Sequence, residues 1–570
     1  MTWTGLHVRL SWAVEHVDAF VADALAPAMA EHRAAGRVTD WFYVRYWRTG
    51  PHLRLRLRDA RVDLTGQLRE LVARADHPRL DLDPAAFYAA AGAAEGEWLP
   101  HGDVREAPYE PEVERYGGPA ALPVAEEVFC RSTDVAVAVL RSTRAPGAKF
   151  TAAVELVMAT TTALGLDRLG AAAWLRSLAT GWRQAREPVA PPGLGSHVAA
   201  RTLHDARAAL LAARWDRLGT HATGAVAYWA EQVRADLPRY AWASQLHMLF
   251  NRLGLNPEEE RTACRLVAMT AEAPDGPTPF HEDGATAPDR RYLAAARFHP
   301  GVPDQGPREV GYAPPPRPPW WPEVALPDAA PVPGSLVDAL LTRRTARGPE
   351  PAGQLDSSPL DAGQLNDSPL NDSPPDADPL DAGSLDAGPL YADPLDAGSL
   401  DARQLATLLW TAQGALADGR RPYPSAGARH SARLRVVALR VSGLEPGVYD
   451  VDEARRVLVR VAPAPPTGDL GATSMWFGHG DGRVDPATTP AVLGLYARIG
   501  ALRAAYGLRA LRLAFTEAGH LAQNLALVAA SSRLSLGLFG GFYDDLAHDV
   551  LCLDGVDDVL VYLMPLGPNP

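Results

Sequence analysis

The sequence almost lacks lysine and has few cysteines, and both shortages restrict its chemistry. Lys149 is the only lysine among 55 basic residues. It lies in a Pro-Gly-Ala-Lys-Phe segment that does not form a phosphate-binding loop, so a P-loop nucleotide-hydrolysing enzyme is excluded. The three cysteines, Cys130, Cys264 and Cys552, form no Cys-x-x-Cys pair. This excludes a disulfide scaffold and a zinc ribbon, predicts no metal site, and favours the reducing cytoplasm.

Long apolar runs and a secretory signal are also missing. Glu15, Asp18 and Asp23 lie where a signal peptide needs an apolar core. No run of 18 apolar residues occurs, so we expect a soluble protein without membrane association. The net charge of −13 argues against direct nucleic-acid binding.

Most of that negative charge lies in one low-complexity segment. Residues 351–402 contain eleven aspartates and no basic residue, so subtracting them from −13 leaves −2 for the rest of the chain. The irregular Leu-Asp-Ala-Gly repeats are too short and too polar to build a core. We interpret the segment as a disordered insert. A calcium-binding repeat is the alternative, but its strand-forming apolar positions are missing.

A chain of 570 residues is expected to form two to four domains. Residues 1–300 mix strand and helix patterns. Residues 301–333 are rich in proline and predict an extended linker. Residues 334–570 again alternate helices and strands around the insert, so we predict two α+β domains.

In the first domain, strand patterns at 6–10 and 41–58 flank a helix pattern at 14–35, and helical spacing dominates from 122 to 253. The segment 41–58 predicts a hairpin with a turn at Gly50-Pro51 and with one apolar and one arginine-rich face.

Four polar residues in this domain are candidates for a functional site. Arg54 and Arg56 lie two apart on a predicted strand, so both side chains point to one face and together suit a carboxylate or phosphate. A solvated strand face is the alternative. Arg115 precedes a Gly-Gly turn. His247 and Asn251 share one face of a predicted helix, where a histidine is often only a packed core residue.

Together these motifs resemble the glutamate-elimination domain of lantibiotic dehydratases, in the stand-alone form of thiopeptide pathways. The resemblance covers about residues 1–270 and rests on Trp-Phe-Tyr-Val-Arg-Tyr, His-Leu-Arg-Leu-Arg, Glu-Arg-Tyr-Gly-Gly and His-Met-x-x-Asn-Arg. It implies a peptide substrate with glutamate esterified to Ser or Thr. Arg54, Arg56 and Arg115 would hold the glutamyl group, and His247 would be the acid or base.

The second domain contains an Arg-Arg-Thr helix end, Pro-Ser-Ala-Gly, Glu-Ala-Gly-His-x-x-Gln-Asn and Gly-Gly-Phe, in that order. This set resembles the nitroreductase-like dehydrogenases that use FMN to oxidise azolines to azoles. Because that fold usually dimerises around FMN, the resemblance also implies a homodimer.

The resemblance assigns roles to particular residues. Arg343, Arg344 and Arg347 would hold the FMN phosphate. The residues expected near the flavin ring are Ser425, Gly427, Asn524, Gly540 and Gly541. Some azoline oxidases carry a Lys-Tyr pair, and here Ala505 stands in place of the lysine before Tyr506. Tyr506 would then be the proton acceptor by itself.

The fused order resembles bifunctional enzymes of lactazole-type thiopeptide pathways. It implies a precursor peptide as substrate, a tRNA-dependent glutamylating partner and a cyclodehydratase. Two alternatives remain: a pyridine-synthase-like cycloaddition domain fused to an FMN dehydrogenase, and a non-catalytic scaffold. Cycloaddition has no glutamate to hold, and a scaffold predicts no bound flavin.

Overall fold

The structure is a computed structural model, and the residues that it describes fall into twelve segments. These are 2–90, 97–143, 145, 147–181, 194–233, 237–276, 287–297, 317–318, 320–342, 400–416, 420–479 and 483–568. Within them, no helix has the combination of length and apolar character needed to cross a bilayer.

The first half contains a small antiparallel sheet and a large group of helices. Its strands are β1 Trp3–Arg9, β2 Asp40–Tyr46, β3 His52–Arg58 and β4 Val104–Glu106. Its helices are α1 Val14–Phe20, α2 Ala26–Ala34, α3 Thr65–Arg74, α4 Pro84–Ala90, α5 Leu122–Ser142, α6 Ala148–Ala163, α7 Arg168–Gly181, α8 Leu194–His221, α9 Gly224–Gln232, α10 Arg239–Leu253, α11 Pro257–Glu272 and α12 Pro288–Ala295. The strand order is β2-β3-β1-β4.

The second half is built on a larger antiparallel sheet of seven described strands, in the order β12-β13-β11-β7-β9-β10-β5. The strands are β5 Glu323–Ala325, β6 Leu400–Asp401, β7 Ala432–Ala438, β8 Val441–Ser442, β9 Gly447–Asp452, β10 Val457–Pro463, β11 Ala491–Arg498, β12 Leu534–Leu536 and β13 Asp558–Pro568. The helices are α13 Leu336–Thr342, α14 Ala402–Gln413, α15 Thr467–Gly471, α16 Ile499–Tyr506, α17 Ala510–Ser531 and α18 Asp544–Leu551. Strands β6 and β8 form a separate parallel pair.

The predicted α+β character of both halves is confirmed. The alternating segments became β1, β2 and β3, and the predicted helix at 14–35 is α1 and α2 joined through a π-helical turn at Val21–Leu25. Leu53, Leu55 and Leu57 enter the core between the first sheet and its helices, because alternate side chains of a strand face opposite sides.

The second half begins within the predicted linker. Strand β5 pairs with β10 at the edge of the larger sheet, and Leu326 packs against its core. Residues 301–316 of the linker lie outside the described part, as do residues 351–399 of the aspartate-rich insert. The prediction of disorder for the insert therefore falls almost entirely outside it.

The two halves meet through a buried ionic contact. Asp549 of α18 accepts hydrogen bonds from Thr180 Oγ1 at 2.8 Å, His197 Nε2 at 2.9 Å and Arg261 Nη2 at 3.0 Å, and also from Arg265 Nη2. Burial alone raises the pKa of Asp549, but Arg265 and His197 hold it well below its usual range. Charge pairing therefore joins the halves.

Candidate functional site

One face of the first sheet carries a concentration of positive charge. Arg54 and Arg56 leave β3 on the side opposite its leucines, as the alternation predicted. The antiparallel register places His7 of β1 opposite Arg54, and Gly5 opposite Arg56. A Cβ at Gly5 would lie 2.2 Å from the Ala107 carbonyl oxygen and 3.0 Å from Arg56 Nη1, so only glycine fits between this backbone and the guanidinium. We call this the arginine face.

Arg54 is held by aromatic and neutral groups rather than by a carboxylate. Its Cζ lies 3.4 Å from the centroid of the Tyr46 ring, which is a cation–π contact. Its Nε donates to His52 Nε2 at 3.3 Å, while His52 Nδ1 donates to the Gly50 carbonyl at 2.8 Å. Burial lowers the pKa of Arg54. These contacts fix the guanidinium and leave its charge uncompensated.

Arg56 is buried and is also not paired with a described carboxylate. Its Nη1 donates to the Leu55 carbonyl at 2.9 Å, and the Tyr109 ring lies 5.5 Å from its Cζ. Burial, followed by the charge of Arg54, lowers the pKa of Arg56 to about 10. Burying a charge without a partner costs free energy, so such a group is typical of a site that binds an anion.

The buried guanidinium of Arg252 increases this positive potential. Arg252 of α10 is 0% exposed, and its Cζ lies 5.7 Å from the Phe42 ring and 5.5 Å from the Phe129 ring. No described residue accepts a hydrogen bond from its guanidinium nitrogens. Glu126 is bound to Trp3 Nε1 at 2.9 Å. The region therefore has more buried positive than negative charge.

Two histidines on the arginine face are kept neutral. Burial, Arg54, Arg56 and Arg9 lower the pKa of His7 to about 3. Burial lowers the pKa of His52 to about 2, against the effect of its hydrogen bond to Gly50. Near neutral pH both are therefore uncharged polar groups among arginines.

These depressed pKa values make the stability of the protein sensitive to acid. Because both histidines are harder to protonate when folded, the unfolded chain binds more protons between about pH 6.5 and 3. Stability is therefore fully present above about pH 6.5 and falls as the pH drops toward 3. We expect His7→Phe to weaken this dependence, measured as the free energy of unfolding in urea from pH 7 to 5. His221→Phe, at an exposed position, is the control; equal slopes for all three proteins would contradict the assignment.

His247 is paired with a buried acid. Its Nδ1 donates to the Glu260 carboxylate at 2.8 Å, and its side chain is 18% exposed. This bond assigns the proton to Nδ1 and makes Nε2 the basic nitrogen. On the same helix face, Asn251 binds the backbone N–H and carbonyl of Arg45 at 2.8 and 2.9 Å. This holds α10 against β2.

Arg115 lies in a 3₁₀ turn, Glu114–Tyr116, that packs against α10. Its guanidinium pairs with Glu112 at 2.8 Å. Gly117 and Gly118 follow with φ of 99° and 85°, which confirms the predicted Gly-Gly turn. Helix α10 contacts both this turn and β2, so the fold brings the elements of His247 and Arg115 next to the sheet of Arg54 and Arg56.

A cavity of about 590 Å³ lies beside this sheet. Tyr46 and His52, the two contacts of Arg54, line it together with Asn251 of α10. Apolar groups, including Trp12 and Phe87, form much of its remaining wall. The cavity is large enough for side chains of a peptide. Arg54, Arg56 and His247 are not among its described lining residues, so it adjoins the arginine face only through Tyr46 and His52.

The second site is formed around the turn at Ser425. Ser425 Oγ accepts from the backbone N–H of His430 at 2.7 Å. Gly427 has a φ of 57°, and a Cβ there would lie 2.6 Å from Tyr506 Oη. Two residues separated by 79 positions are thus in contact, and only glycine leaves this space.

A cavity of about 510 Å³ opens at this turn. Ser425 lines it together with Arg420, Arg421 and His430. His430 has a φ of 47°, an uncommon conformation for a residue with a side chain, and burial lowers its pKa. A neutral imidazole and the side chains of two arginines therefore line one cavity, and the Arg421 guanidinium is held by Glu453 at 3.0 Å and by the Gln413 carbonyl at 2.7 Å.

The other residues expected near the flavin are not among the described residues that line the Ser425 cavity. Asn524 Nδ2 donates to the carbonyls of Pro422 at 2.9 Å and Ala412 at 3.3 Å, so it holds the loop before Ser425. Gly540 and Gly541 are not among the described residues that line the Ser425 cavity. A Cβ at Gly541 would lie 3.2 Å from Trp476 Nε1. Arg343, Arg344 and Arg347 lie outside the described residues.

Several residues of the two sites were not predicted from the sequence. His7 alternates with the apolar residues of β1, as the arginines of β3 do, and this spacing was the available signal. Arg420 and Arg421 stand directly before Pro-Tyr-Pro-Ser-Ala-Gly. The partner of His247 had no such signal, since Glu260 lies on the next helix.

Two family models match the chain. Residues 3–271 match the C-terminal region of lantibiotic biosynthesis dehydratases, and residues 394–568 match the nitroreductase family. A protein of Methanocaldococcus jannaschii that is named as a nitroreductase is 30% identical over 166 residues, which are 29% of this chain and 79% of the relative.

Among solved structures, the pyridine synthase TbtD of thiomuracin biosynthesis is 20% identical with a TM-score of 0.38, over 48% of this chain and 98% of its own. The tRNA-dependent lantibiotic dehydratase MibB of Microbispora is 22% identical with a TM-score of 0.28, over 47% of this chain and 28% of its own. A protein of Anabaena variabilis named as a nitroreductase is 16% identical with a TM-score of 0.34; the match covers 49% of this chain and 47% of that one, less than half its length. The chain therefore belongs to the nitroreductase family through its second half, and its first half matches the model of the lantibiotic dehydratase C-terminal domain.

Proposed function

We propose that this chain is a bifunctional enzyme that tailors a ribosomally made peptide. The first domain eliminates glutamate from glutamylated Ser or Thr, and the second oxidises azolines to azoles with FMN. The observation that carries the proposal is the arginine face, where Arg56 is buried and Arg54 half-buried, both without a described carboxylate partner. A dehydratase-type domain whose positive charges lack partners is suited to a substrate that supplies the negative charge.

Elimination removes the α-proton of the modified residue and breaks its Cβ–O bond, and glutamate leaves as a carboxylate. His247, oriented by Glu260, is suited to accept the proton through Nε2. Arg54 and Arg56 are suited to stabilise the departing carboxylate, and the adjacent cavity of about 590 Å³ would hold the surrounding peptide. Cycloaddition releases no such anion, so the unpaired arginines favour elimination over that alternative.

In the second domain, residues at the Ser425 turn fit a flavin. Gly427 lets the turn approach Tyr506 Oη closely, and Arg420, which lines the adjacent cavity, suits the flavin phosphate. Arg421 lines the cavity too, and its guanidinium binds Glu453 and the Gln413 carbonyl. Arg343, Arg344 and Arg347 remain predicted phosphate ligands. Bound FMN would accept a hydride from the azoline ring. Tyr506 would accept the accompanying proton, and Asn524 would hold the loop that forms the cavity wall.

The surface of the second domain favours a homodimer. Leu336, Val337 and Leu340 of α13 are 66%, 62% and 51% exposed, and Phe515 of the adjacent helix α17 is 48% exposed. An exposed group of large apolar side chains is typical of a protein interface. We infer that a second copy covers it. The precursor peptide would come from partners that attach glutamate and form azoline rings.

Flavin release tests the second activity directly. We expect purified protein to release FMN at about one per chain on denaturation, because the Ser425 cavity is the flavin site proposed for each chain. Gly427→Ala should lower the bound fraction, since its Cβ meets Tyr506 Oη. Gly468→Ala is the control, because nothing lies within 4 Å of a Cβ there. Wild-type protein that holds no flavin and takes up none would contradict the dehydrogenase assignment and favour a scaffold.

A further inference from the structure

His7 is a polar residue on the arginine face, and its contacts with the described residues leave one buried ring nitrogen without a hydrogen bond. Its Nε2 is buried and has no hydrogen-bond partner among the described residues. A buried polar atom without a partner costs about 1–3 kcal/mol, so such an atom in a site suggests a ligand.

The charged and polar neighbours of His7 come from three strands. Arg54 lies directly opposite on β3, with Arg56 and His52 as the adjacent polar residues of that strand. Arg105 of β4 lies opposite on the other side, and Arg9 is the next residue of β1 on this face. The His7 and His52 rings are 4.8 Å apart. The acid of this face is Asp103, which pairs with Arg105 Nε at 2.7 Å and also attracts Arg9.

The glutamyl group carries an amino group as well as carboxyl oxygens. On the arginine face, guanidinium groups suit the oxygens and repel a cation. Glu126, a nearby acid, is bound to Trp3, and His52 Nε2 already accepts from Arg54. With Asp103 paired to Arg105, His7 Nε2 is the neutral acceptor of this face that has no described partner, and we take it as the acceptor for an amino group. Its neutrality follows from burial and the three arginines that depress its pKa.

We propose that His7 binds the amino group of the glutamyl unit and makes the site selective for glutamyl over deaminated acyl groups. This inference rests on the proposed elimination of glutamate. It identifies His7 as a specificity-determining residue, while His247 keeps the role of proton acceptor.

Binding of L-glutamate and of glutarate, which lacks the amino group, tests this role by titration calorimetry at pH 7.5 and low salt. We expect His7→Phe to lower the glutamate-to-glutarate affinity ratio about tenfold, the effect of one hydrogen bond to a charged group. The ratio should fall because glutamate binds more weakly. His7→Asn, which keeps an acceptor, should restore part of the ratio, and His221→Phe should leave it unchanged.

The outcomes distinguish the role of His7 from the existence of the anion site and the proposed elimination. An unchanged ratio in His7→Phe, with both ligands bound, would overturn the role of His7 and leave the anion site intact. If wild-type protein bound neither ligand, the anion site and the elimination proposal would both be wrong. Far-UV circular dichroism and the thermal midpoint verify folding. If His7→Phe did not fold, His7→Leu, which also lacks an acceptor, would replace it, and an unchanged ratio there would overturn the proposal.

Discussion

Replacing Asp549 with alanine is expected to destabilise the contact between the two halves by about 3–5 kcal/mol, the usual effect of breaking a buried ion pair from one side. Arg261 and Arg265 are 2% and 4% exposed, and both donate to this carboxylate. Without Asp549, the buried Arg265 and His197 would lose this carboxylate, and Arg261 would keep only its pair with Glu258 at 3.2 Å. The decrease in the free energy of unfolding should therefore exceed the decrease caused by removing an ordinary surface ion pair.

Urea unfolding, followed by domain-specific probes, measures this effect. In wild-type protein we expect the halves to unfold together, whereas in Asp549→Ala the transitions should separate. Asp545→Ala is the matched control on the same helix. Asp545 is 38% exposed, and its partner Arg176 keeps a second ion pair with Glu272, so the loss should stay near 1 kcal/mol. Equal losses in the two variants would show that the buried carboxylate does not join the halves.

Replacing Arg56 with alanine is expected to slow elimination by about 100- to 1000-fold, as removal of one group that stabilises a developing anion does. Azole formation should be unaffected, because the Ser425 cavity lies in the other domain. Glutamylated peptide should accumulate while azolines are still oxidised, and mass spectrometry of the peptide distinguishes the two products.

The stability of the Arg56 variant separates a functional role from a structural one. Because Arg56 is buried without a carboxylate, its removal should cost the fold little, and Arg61→Ala at an exposed position is the control. Unimpaired elimination in Arg56→Ala would contradict the role of the arginine face. Loss of both activities in a folded variant would contradict separate sites.

Local patterns predicted much of this protein. Alternation of apolar and polar residues predicted β1 to β3 and placed Arg54 and Arg56 on one face, because side-chain direction along a strand depends only on the parity of the position. Capping was equally local: Asn256 with Glu259, and Asp401 with Gln404, form reciprocal capping boxes at the starts of α11 and α14. The family motifs could be recognised in the sequence for the same reason, since each is a short contiguous segment.

The sequence did not predict which groups the site residues bind, because most of these partners are distant in the chain. Arg115 stands next to Glu114 in the sequence, yet its guanidinium pairs with Glu112, three residues earlier. Asn524 was expected near a flavin ring, and its amide binds two backbone carbonyls more than a hundred residues away. Hydrogen bonds of this kind depend on how elements pack, and no local spacing encodes them.

The sequence by itself therefore determined the two domain types, their order, and which residues share a strand or helix face, because these follow from local periodicity and contiguous motifs. Only the tertiary structure decided that His7 lies opposite Arg54, that Gly427 meets Tyr506, and that Asp549 enters a basic pocket of the other half. Sheet register, close packing and the burial of charge bring together residues from distant parts of the chain, and the strength of a charge depends on the burial that this packing creates.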